Sequence, residues 1–173
     1  METSATTHPT VDAAERARVA FEDLGKRDLS RAPEYWGPET VDHFLPVGVF
    51  QGTDAIRGYF EQMFAAVSDF EMEVENIVAE GATSVVQWRA RGTFDGAAFM
   101  GIEPTGKRID MRGCDVIEWN DDGTIKHNTI YYDGAEFARQ IGMLPPKDSA
   151  ADRAVLTMFN GSTKLRKRLR AGR

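Results

Sequence analysis

The stretch RARGTFDGAAFMGIEPTGKRIDMRGCDVIEWNDDGTIKHNTIYYDGAEFARQIGMLPP, residues 89–146, decides the fold. Apolar and polar residues alternate through residues 107–119 and again through 124–132, as in strands with one buried face. Asn120-Asp121-Asp122-Gly123 stands between them and has the composition of a hairpin turn. The stretch therefore predicts a long β-hairpin that follows a glycine-rich loop.

A short helix is predicted directly after this hairpin. Asp133 is followed three residues later by Glu136, which is the spacing of a capping box at a helix N-terminus. Gly142 and Pro145 are typical of the residues that end a helix and follow it. Asp133 is accordingly interpreted as a helix cap rather than as a catalytic residue.

The residues upstream of this stretch predict helices followed by strands. Thr53, with Asp54 beside it, is predicted to cap the longest of these helices. Val74 and Val78 are predicted to share one face of their strand, because side chains alternate along a strand. The predicted elements are helices over 11–25, 31–36 and 53–70 and strands over 40–45, 71–79 and 84–94.

Composition limits the class of protein. The chain has 173 residues, a net charge of −6 and 42% hydrophobic residues. These values favour one acidic globular domain and argue against nucleic acid as a partner. A single cysteine, Cys114, excludes an internal disulfide. With no apolar run of about 20 residues, no membrane partner is expected, and a cytoplasmic location is predicted.

Three regions are predicted along the chain. Residues 1–9 are small and polar and are expected to form a disordered leader. Residues 10–146 form the folded domain, and residues 147–173 form a helical tail whose last part, from Lys164, is strongly basic. Deleting Lys164–Arg173 is expected to leave the fold intact.

The order of elements predicts an α+β fold. A curved mixed or antiparallel sheet of five or six strands, wrapped around the helix at 53–70, would make a cone-shaped barrel with one open mouth. Such a mouth suits a small apolar molecule. The outer face of the sheet is predicted to form a homodimer.

Short motifs identify a family that this chain resembles. They are GTDAIR at 52–57, GT at 92–93, PTGK at 104–107, DGTI at 122–125 and QIGMLP at 140–145. In this order they resemble the SnoaL-like polyketide cyclase branch of the nuclear transport factor 2-like superfamily. The resemblance spans roughly residues 10–146 and implies the cone fold, an apolar pocket and a role in secondary metabolism. It does not by itself imply one activity, because the fold hosts several chemistries.

This sequence differs from polyketide cyclases at their catalytic positions. Their acid/base aspartate lies three residues before the position of Asp133, where this chain has Ile130. A cyclase histidine of the preceding strand falls on Asp115. The usual acid/base carboxylate is therefore missing, although a carboxylate occurs at a neighbouring position.

This chain also lacks key catalytic residues of two other enzyme classes of the superfamily. The Arg-x-Asp of limonene-type epoxide hydrolases matches Arg89-x-Arg91, and their second aspartate matches Ile130. The base of ketosteroid isomerases, which precedes a proline in the first strand, matches Leu45. The resemblance therefore leaves open which reaction this chain catalyses, or whether it only binds a ligand.

Asp115 is the first candidate for catalysis. Alternation along its strand puts it on one side with Gly113, Ile117 and Trp119. If that side lines the pocket, loss of solvation raises the pKa of Asp115 and suits the residue to proton transfer near neutral pH. The alternative is a structural aspartate that is paired with an arginine of the same sheet.

His43 is the second candidate. It shares a strand face with Val41 and Leu45 and would point into the cone, where an imidazole could act as a base. The alternative is a histidine that packs in the core with its hydrogen bonds satisfied. If His43 met Asp115 across the cavity, the two would form an acid/base pair.

On the last strand, alternation and the family match place Asn128, Ile130 and Tyr132 on the pocket side. Asn128 and Tyr132 could then donate hydrogen bonds to a substrate oxygen. His127 and Tyr131 would face the opposite side of the sheet.

Bulky residues elsewhere are predicted to line the substrate pocket. No metal site and no cofactor are expected, because the few histidines lack metal-ligand spacing and no glycine-rich phosphate loop leads into a helix. The first functional hypothesis is a cofactor-free enzyme that moves protons on an apolar carbonyl compound such as a polyketide. The second is a non-catalytic binder of lipophilic ligands. The predicted lining residues are Trp36, Tyr59, Met63, Trp88 and Trp119.

Overall fold

The computed structural model describes residues 11–171, so the leader predicted over residues 1–9 lies outside the described residues. The helices and strands of that range are α1 (Ala13–Gly25), α2 (Ala32–Tyr35), β1 (Trp36–Phe44), β2 (Gly48–Gln51), α3 (Thr53–Ala66), β3 (Glu71–Glu80), β4 (Thr83–Phe94), β5 (Lys107–Trp119), β6 (Ile125–Tyr132), α4 (Gly134–Gln140) and α5 (Ala150–Ala171).

All six strands form one curved sheet in the order β2-β1-β6-β5-β4-β3. β1 runs parallel to β6, and the other neighbours are antiparallel. The end strands, β2 and β3, do not pair with each other, so the sheet remains unclosed. The predicted α+β fold with a mixed sheet is confirmed, and the cone is an open one.

β1 is longer than the sequence predicts and has the opposite face inside. Thr40, Asp42 and Phe44 are buried, whereas Val41 is only half-buried. Both faces of this strand carry apolar residues, since alternate residues point to opposite sides. The face with the aromatic ring of Phe44 is buried, because a ring removes more apolar surface from water. β2, which pairs with the end of β1, is not predicted from the sequence.

α1 and α3 pack inside the curve of the sheet. The Asp12 side chain caps α1 by accepting a hydrogen bond from the backbone N–H of Glu15. Gly52, with a φ of 80°, rather than the predicted Thr53, stands at the N-cap of α3. The Thr53 hydroxyl instead donates to the backbone oxygen of Trp36 and ties α3 to β1. The helix start was therefore correct and its cap was wrong.

A bulge interrupts β3 between Val74 and Asn76. One extra residue reverses the faces beyond it, so Ile77 is half-buried and Val78 is 59% exposed. The prediction that Val74 and Val78 share a buried face is wrong for this reason. Alternation cannot reveal a bulge, because it counts residues and not paired positions.

The C-terminal elements follow the sequence closely. Asp133 accepts hydrogen bonds from the backbone N–H groups of Ala135 and Glu136, which confirms its interpretation as the cap of α4. α5 carries its large apolar side chains exposed, among them Phe159 at 66%. None of the helices in residues 11–171 is long and apolar enough to cross a membrane.

Candidate functional site

A cavity of about 320 Å³ lies between α1, α3 and the concave face of the sheet. Its wall is overwhelmingly apolar, with the aromatic rings of α3 on one side and β4, β5 and β6 on the other. The residues that line its inner part include Phe44, Tyr59, Phe60, Met63, Trp88, Ala90, Met111, Asp115, Ile130 and Tyr132.

Two exposed methionines stand at the mouth of this cavity. Met100 is 52% exposed and Met143 is 64% exposed, and both contribute to the lining. Met100 belongs to the loop between β4 and β5, and Met143 follows α4. Methionine side chains are flexible and adapt to irregular apolar shapes, so this rim suits the entry of an apolar molecule.

Among the described residues that line this cavity, Asp115 is the only carboxylate. The Trp88 Nε1–H donates to Asp115 Oδ1 over 2.7 Å, and the Asn128 Nδ2–H donates to Oδ2 over 2.8 Å. Burial raises the pKa of Asp115 to about 6, while the hydrogen bonds from Asn128 and Trp88 act in the opposite direction. The predicted strand face and the raised pKa are confirmed.

The alternative that an arginine neutralises Asp115 is wrong. Arg89 pairs with Asp110, and Arg91 and Arg112 pair with glutamates of β3, all on the outer face of the sheet. Strand alternation separates these arginines from Asp115, because they occupy the opposite phase on β4 and β5. Asp115 is therefore held by neutral donors.

Gly113 allows the Trp88 ring to reach Asp115. The two residues are paired across β4 and β5, and a methyl group added at Gly113 would come within 2.2 Å of Trp88 Cζ2. No side chain fits between this backbone and the ring. The glycine thus fixes the position of the indole N–H that binds Asp115.

A second cavity, of about 30 Å³, lies behind Asp115. Asp42 lines it together with Asp115 and Asn128, and Asp42 is only 1% exposed. Burial, and then the charge of Asp115, raise the pKa of Asp42 well above its ordinary value. Sequence reasoning missed Asp42 because it assigned the wrong buried phase to β1. The signal that could have found it is the shared phase of Trp36, Thr40 and Phe44.

The prediction that His43 points into the cone is wrong. His43 lies one residue out of phase with the buried Asp42 and Phe44, and it is paired with Val49 of β2 and Thr129 of β6. Paired residues share a face, so His43 lies on the outer face of the sheet. It cannot meet Asp115, and the predicted acid/base pair does not form.

The alternation predicted for the last strand is confirmed. Asn128 and Ile130 are buried, and Tyr132 lines the large cavity. On the outer face, His127 hydrogen-bonds with Thr129 and Tyr131 is 46% exposed. One Nδ2–H of Asn128 donates to Asp115, and Asn128 lines the small cavity rather than the large one.

Two tyrosine hydroxyls supply the remaining polar groups of the large cavity. Burial, followed by the neighbouring Tyr132, raises the pKa of Tyr59. Burial likewise raises the pKa of Tyr132. Both phenols therefore remain protonated over the neutral range and can act as hydrogen-bond donors.

The other predicted lining residues divide into two groups. Tyr59, Met63 and Trp88 line the large cavity, as predicted. Trp36 instead stacks on Phe60 and faces the small cavity. Trp119 is buried with its Nε1–H bonded to Ser84 Oγ over 2.9 Å and lines neither cavity, so its predicted role is wrong.

Potential metal ligands are dispersed. Within residues 11–171 no group of three or more His, Cys, Asp or Glu side chains is placed to hold a metal ion.

Comparison with known proteins shows one family match. The sequence model of the family described as SnoaL-like polyketide cyclase matches residues 14–141, most of the chain. None of the curated proteins matches the sequence.

Solved structures show the same fold at low sequence identity. A Jannaschia sp. CCS1 protein, described as a SnoaL-like polyketide cyclase, is 21% identical with a TM-score of 0.69, over 84% of this chain and 99% of that one. AclR from Streptomyces galilaeus, described as a hydroxylase, is 22% identical with a TM-score of 0.65, over 92% and 97%. An epoxide hydrolase from M. tuberculosis is 18% identical with a TM-score of 0.60, over 76% and 90%. At these identities the comparison establishes the open cone fold and no single reaction.

Proposed function

The protein belongs to the SnoaL-like polyketide cyclase family, and we propose that it catalyses cofactor-free proton transfer on a small apolar carbonyl compound such as a polyketide. One observation carries this proposal. Asp115, whose pKa is raised to about 6, is the one carboxylate in the wall of an otherwise apolar cavity of about 320 Å³. A carboxyl group that titrates near neutrality can both accept and return a proton under ordinary conditions.

The cavity suits the proposed class of substrate. Binding sites for small molecules range from about 300 to 1,000 Å³ and are mainly apolar with a few placed polar groups. The aromatic wall, with Tyr59 and Phe60, favours flat unsaturated molecules. The methionine rim, Met100 and Met143, can adjust to the entering molecule.

The proposed reaction begins with Asp115 as a general base. Its carboxylate accepts the proton from a carbon next to the substrate carbonyl, and the electrons of the broken C–H bond form an enolate. The Tyr132 hydroxyl, which interacts with Tyr59, donates a hydrogen bond to the enolate oxygen and stabilises its negative charge. Asp115 then returns the proton to another atom of the same molecule, so no oxidant, reductant or cofactor is consumed.

Trp88 and Asn128 position the base without neutralising it. Each donates one hydrogen bond to a different oxygen of Asp115, and each oxygen keeps a further lone pair for a proton. An arginine in their place would lower the pKa of Asp115 strongly and weaken it as a base. Neutral donors fix the geometry of the carboxylate and leave its pKa near the working pH.

A non-catalytic role as a lipophilic-ligand binder is the second candidate. Ile130, which stands where cyclases of the family carry their acid/base aspartate, is 3% exposed and lines the cavity. An isoleucine there adds apolar contact area to a ligand and no chemistry. This observation is the specific argument for a binder.

Asp115→Asn separates the two candidates. The variant keeps the shape of the side chain and removes the base, so turnover of a carbonyl substrate should fall by about 100-fold or more. Ligand binding, followed by quenching of tryptophan fluorescence, should change by only a few-fold. His43→Ala is the matched control, because His43 lies on the outer face, and it should retain both turnover and binding.

If the wild type turns over none of a panel of polyketide-like carbonyl compounds that it binds, the binder is favoured. The same conclusion follows if Asp115→Asn retains full turnover of a substrate.

We also propose a cytoplasmic homodimer that forms through the outer face of the sheet. Leu45 and Tyr131 lie beside Cys114 in a shallow depression on this face, and both are nearly half exposed. An interface there would cover these side chains and leave the cavity mouth open. Light scattering on the wild type and on Tyr131→Glu tests it: the wild type should have the mass of a dimer and the variant that of a monomer.

A further inference from the structure

Two buried oxygens near Asp115 lack hydrogen-bond partners. They are Asp42 Oδ1 and Asn128 Oδ1, and their side chains belong to directly paired residues of β1 and β6. Both side chains line the small cavity of about 30 Å³ and lie on the concave face. Buried polar atoms in proteins are nearly always bonded, so two adjacent unpaired oxygens require an explanation.

The orientation of the Asn128 amide is fixed by Asp115. Its Nδ2–H donates to Asp115 Oδ2, so the amide oxygen must point elsewhere. Exchanging the two amide atoms would set an oxygen against the Asp115 carboxylate, which would be repulsive. The Asn128 oxygen is therefore an acceptor that needs a donor.

The surroundings of Asp42 disfavour a negative charge. Besides Asp42, the titratable groups that line the small cavity are Asp23 of α1, Asp28 in the loop after α1, Tyr35 of α2 and Asp115 of β5. Among the described residues that line it, none is a lysine, arginine or histidine. The Arg31 guanidinium lies at 3.5 Å from Asp23, and the Tyr35 hydroxyl also donates to Asp23. No counter-charge is thus available to an ionised Asp42, which is costly for a buried carboxylate.

We propose that Asp42 is a neutral hydrogen-bond donor to Asn128 Oδ1 and thereby holds the Asn128 amide in the orientation that binds Asp115. One proton on Asp42 Oδ1 satisfies both unpaired oxygens, directly or through a single water in the small cavity, whose volume is sufficient for one. The result is a chain of hydrogen bonds from Asp42 through Asn128 to Asp115, which Trp88 binds from the other side. Asp42 touches no substrate, so it is a positioning residue.

This inference rests on the proposed function only for its effect on rate. Without the proton on Asp42, the Asn128 amide loses its restraint, and Asp115 loses the hydrogen bond that most favours its ionised form. The pKa of Asp115 then rises, and less of the base is ionised at neutral pH. Burial, followed by the charge of Asp115, raises the pKa of Asp42 in agreement with this assignment.

The experiment combines carboxyl-carbon NMR titration with two variants. The ligand-free wild type, labelled with ¹³C at aspartate carboxyl groups, is titrated from pH 4 to pH 9, and the Asp42 and Asp115 signals are assigned from Asp42→Asn and Asp115→Asn. Asp42→Asn preserves a donor, the side-chain N–H₂, at the same place. Asp42→Leu preserves the approximate shape and removes the donor.

We expect the Asp42 carbon to keep the shift of a protonated acid through pH 7. The Asp115 midpoint should rise by about one unit in Asp42→Leu and by clearly less in Asp42→Asn. At pH 6, a one-unit rise from a pKa of about 6 lowers the ionised fraction of Asp115 from about one half to about one tenth. At this pH, kcat should be up to about fivefold higher in Asp42→Asn than in Asp42→Leu, which is the rescue by a conservative variant that a merely structural role would not give.

Two results would overturn the inference: an Asp42 carbon with the shift of a carboxylate at pH 7, or an Asp115 midpoint that the two variants shift equally. If Asp42→Leu does not fold, the wild-type titration and Asp42→Asn still decide. If the wild type shows no turnover at all, the proposed function fails, whereas the NMR midpoints continue to test the hydrogen-bond chain.

Discussion

Replacing Trp88 with phenylalanine removes one atom group from the candidate site, the indole N–H that donates to Asp115 Oδ1 over 2.7 Å. The phenyl ring keeps most of the apolar contact that buries Asp115 in the wall of the cavity. Desolvation, which raises the pKa of Asp115, therefore persists, while one of the two interactions that lower it is lost. The pKa of Asp115 should rise.

The size of the rise follows from the strength of the bond. A hydrogen bond to a charged group contributes about 1.5–3 kcal/mol, and one pKa unit corresponds to about 1.36 kcal/mol, so the shift is about one to two units. From a starting pKa of about 6, the ionised fraction at pH 6 falls from about one half to between about one tenth and one hundredth. Turnover at pH 6 should fall by about 5- to 50-fold, whereas turnover at pH 9 should change little.

The assay is the pH dependence of kcat/KM, which reports the pKa of the free enzyme's base. A titration of the Asp115 carboxyl carbon in the ligand-free protein should show the same shift. Trp119→Phe is the matched control. Trp119 is as deeply buried as Trp88, and its indole N–H also bonds to one side chain, Ser84 Oγ at 2.9 Å, but it does not contact Asp115.

The control variant should lose stability without moving the pH profile. If Trp88→Phe leaves the acidic limb of the profile in place, Asp115 is not the group that the profile reports. If Trp119→Phe moves the limb as far as Trp88→Phe does, the shift comes from general loosening of the core. Either result refutes the assignment of Trp88 as a direct donor to the catalytic base.

Three further predictions concern stability and the periphery of the site. The pKa of Asp115 in the folded state is about 6, against an ordinary 3.8. The folded state therefore binds more protons than the unfolded state between about pH 4 and pH 6, and the wild type loses stability as the pH rises through this window. In urea unfolding, Asp115→Asn should be more stable than the wild type by up to about 3 kcal/mol above pH 7 and should gain little near pH 4. Gly113→Ala should displace the Trp88 ring, which an added methyl group would meet at 2.2 Å, and should raise the titration midpoint of Asp115. Gly92→Ala is the control, because its added methyl group would be equally crowded, but by Val67; it should lower the melting temperature without shifting that midpoint. Equal Asp115 midpoints in the two variants would count against the role of Gly113. Deleting Lys164–Arg173 should leave the melting temperature within about 2 °C and ligand binding unchanged, because α5 is exposed over Lys164–Arg170. A larger loss of melting temperature, measured by calorimetry, would show that the tail packs on the domain.

The sequence found one half of the site and missed the other for an identifiable reason. Asp115 could be assigned to the inner face because its long strand alternates without interruption over Lys107–Trp119. β1 is shorter and has apolar residues in both phases, so His43 was chosen in place of Asp42. Alternation gives the two faces of a strand but not which of them is buried, unless one face is clearly more apolar.

The partners of Asp115 show a second limit. Trp88 lines the large cavity, as predicted, whereas Asn128 is buried on the same face of the sheet and lines the small cavity. The substrate contact of Asn128 stays a prediction, and the contact that the sequence did not reveal is the hydrogen bond from its amide to Asp115. The distance between side chains on three different strands depends on the curvature of the sheet, which residue spacing does not specify.

By itself, the sequence determined the order of the strands and helices apart from β2, the cap at Asp133, the family resemblance and the inward face of β5 and β6. Each of these depends on residues that are close in the chain, where spacing translates directly into geometry. The tertiary structure alone decided that β1 lies parallel to β6 and that Asp42 therefore stands beside Asn128. It also decided that Asp115 is held by two neutral donors and no arginine. The physical reason is that burial and pairing between distant strands set the pKa of a carboxylate, and both arise only when the sheet has curved around its core.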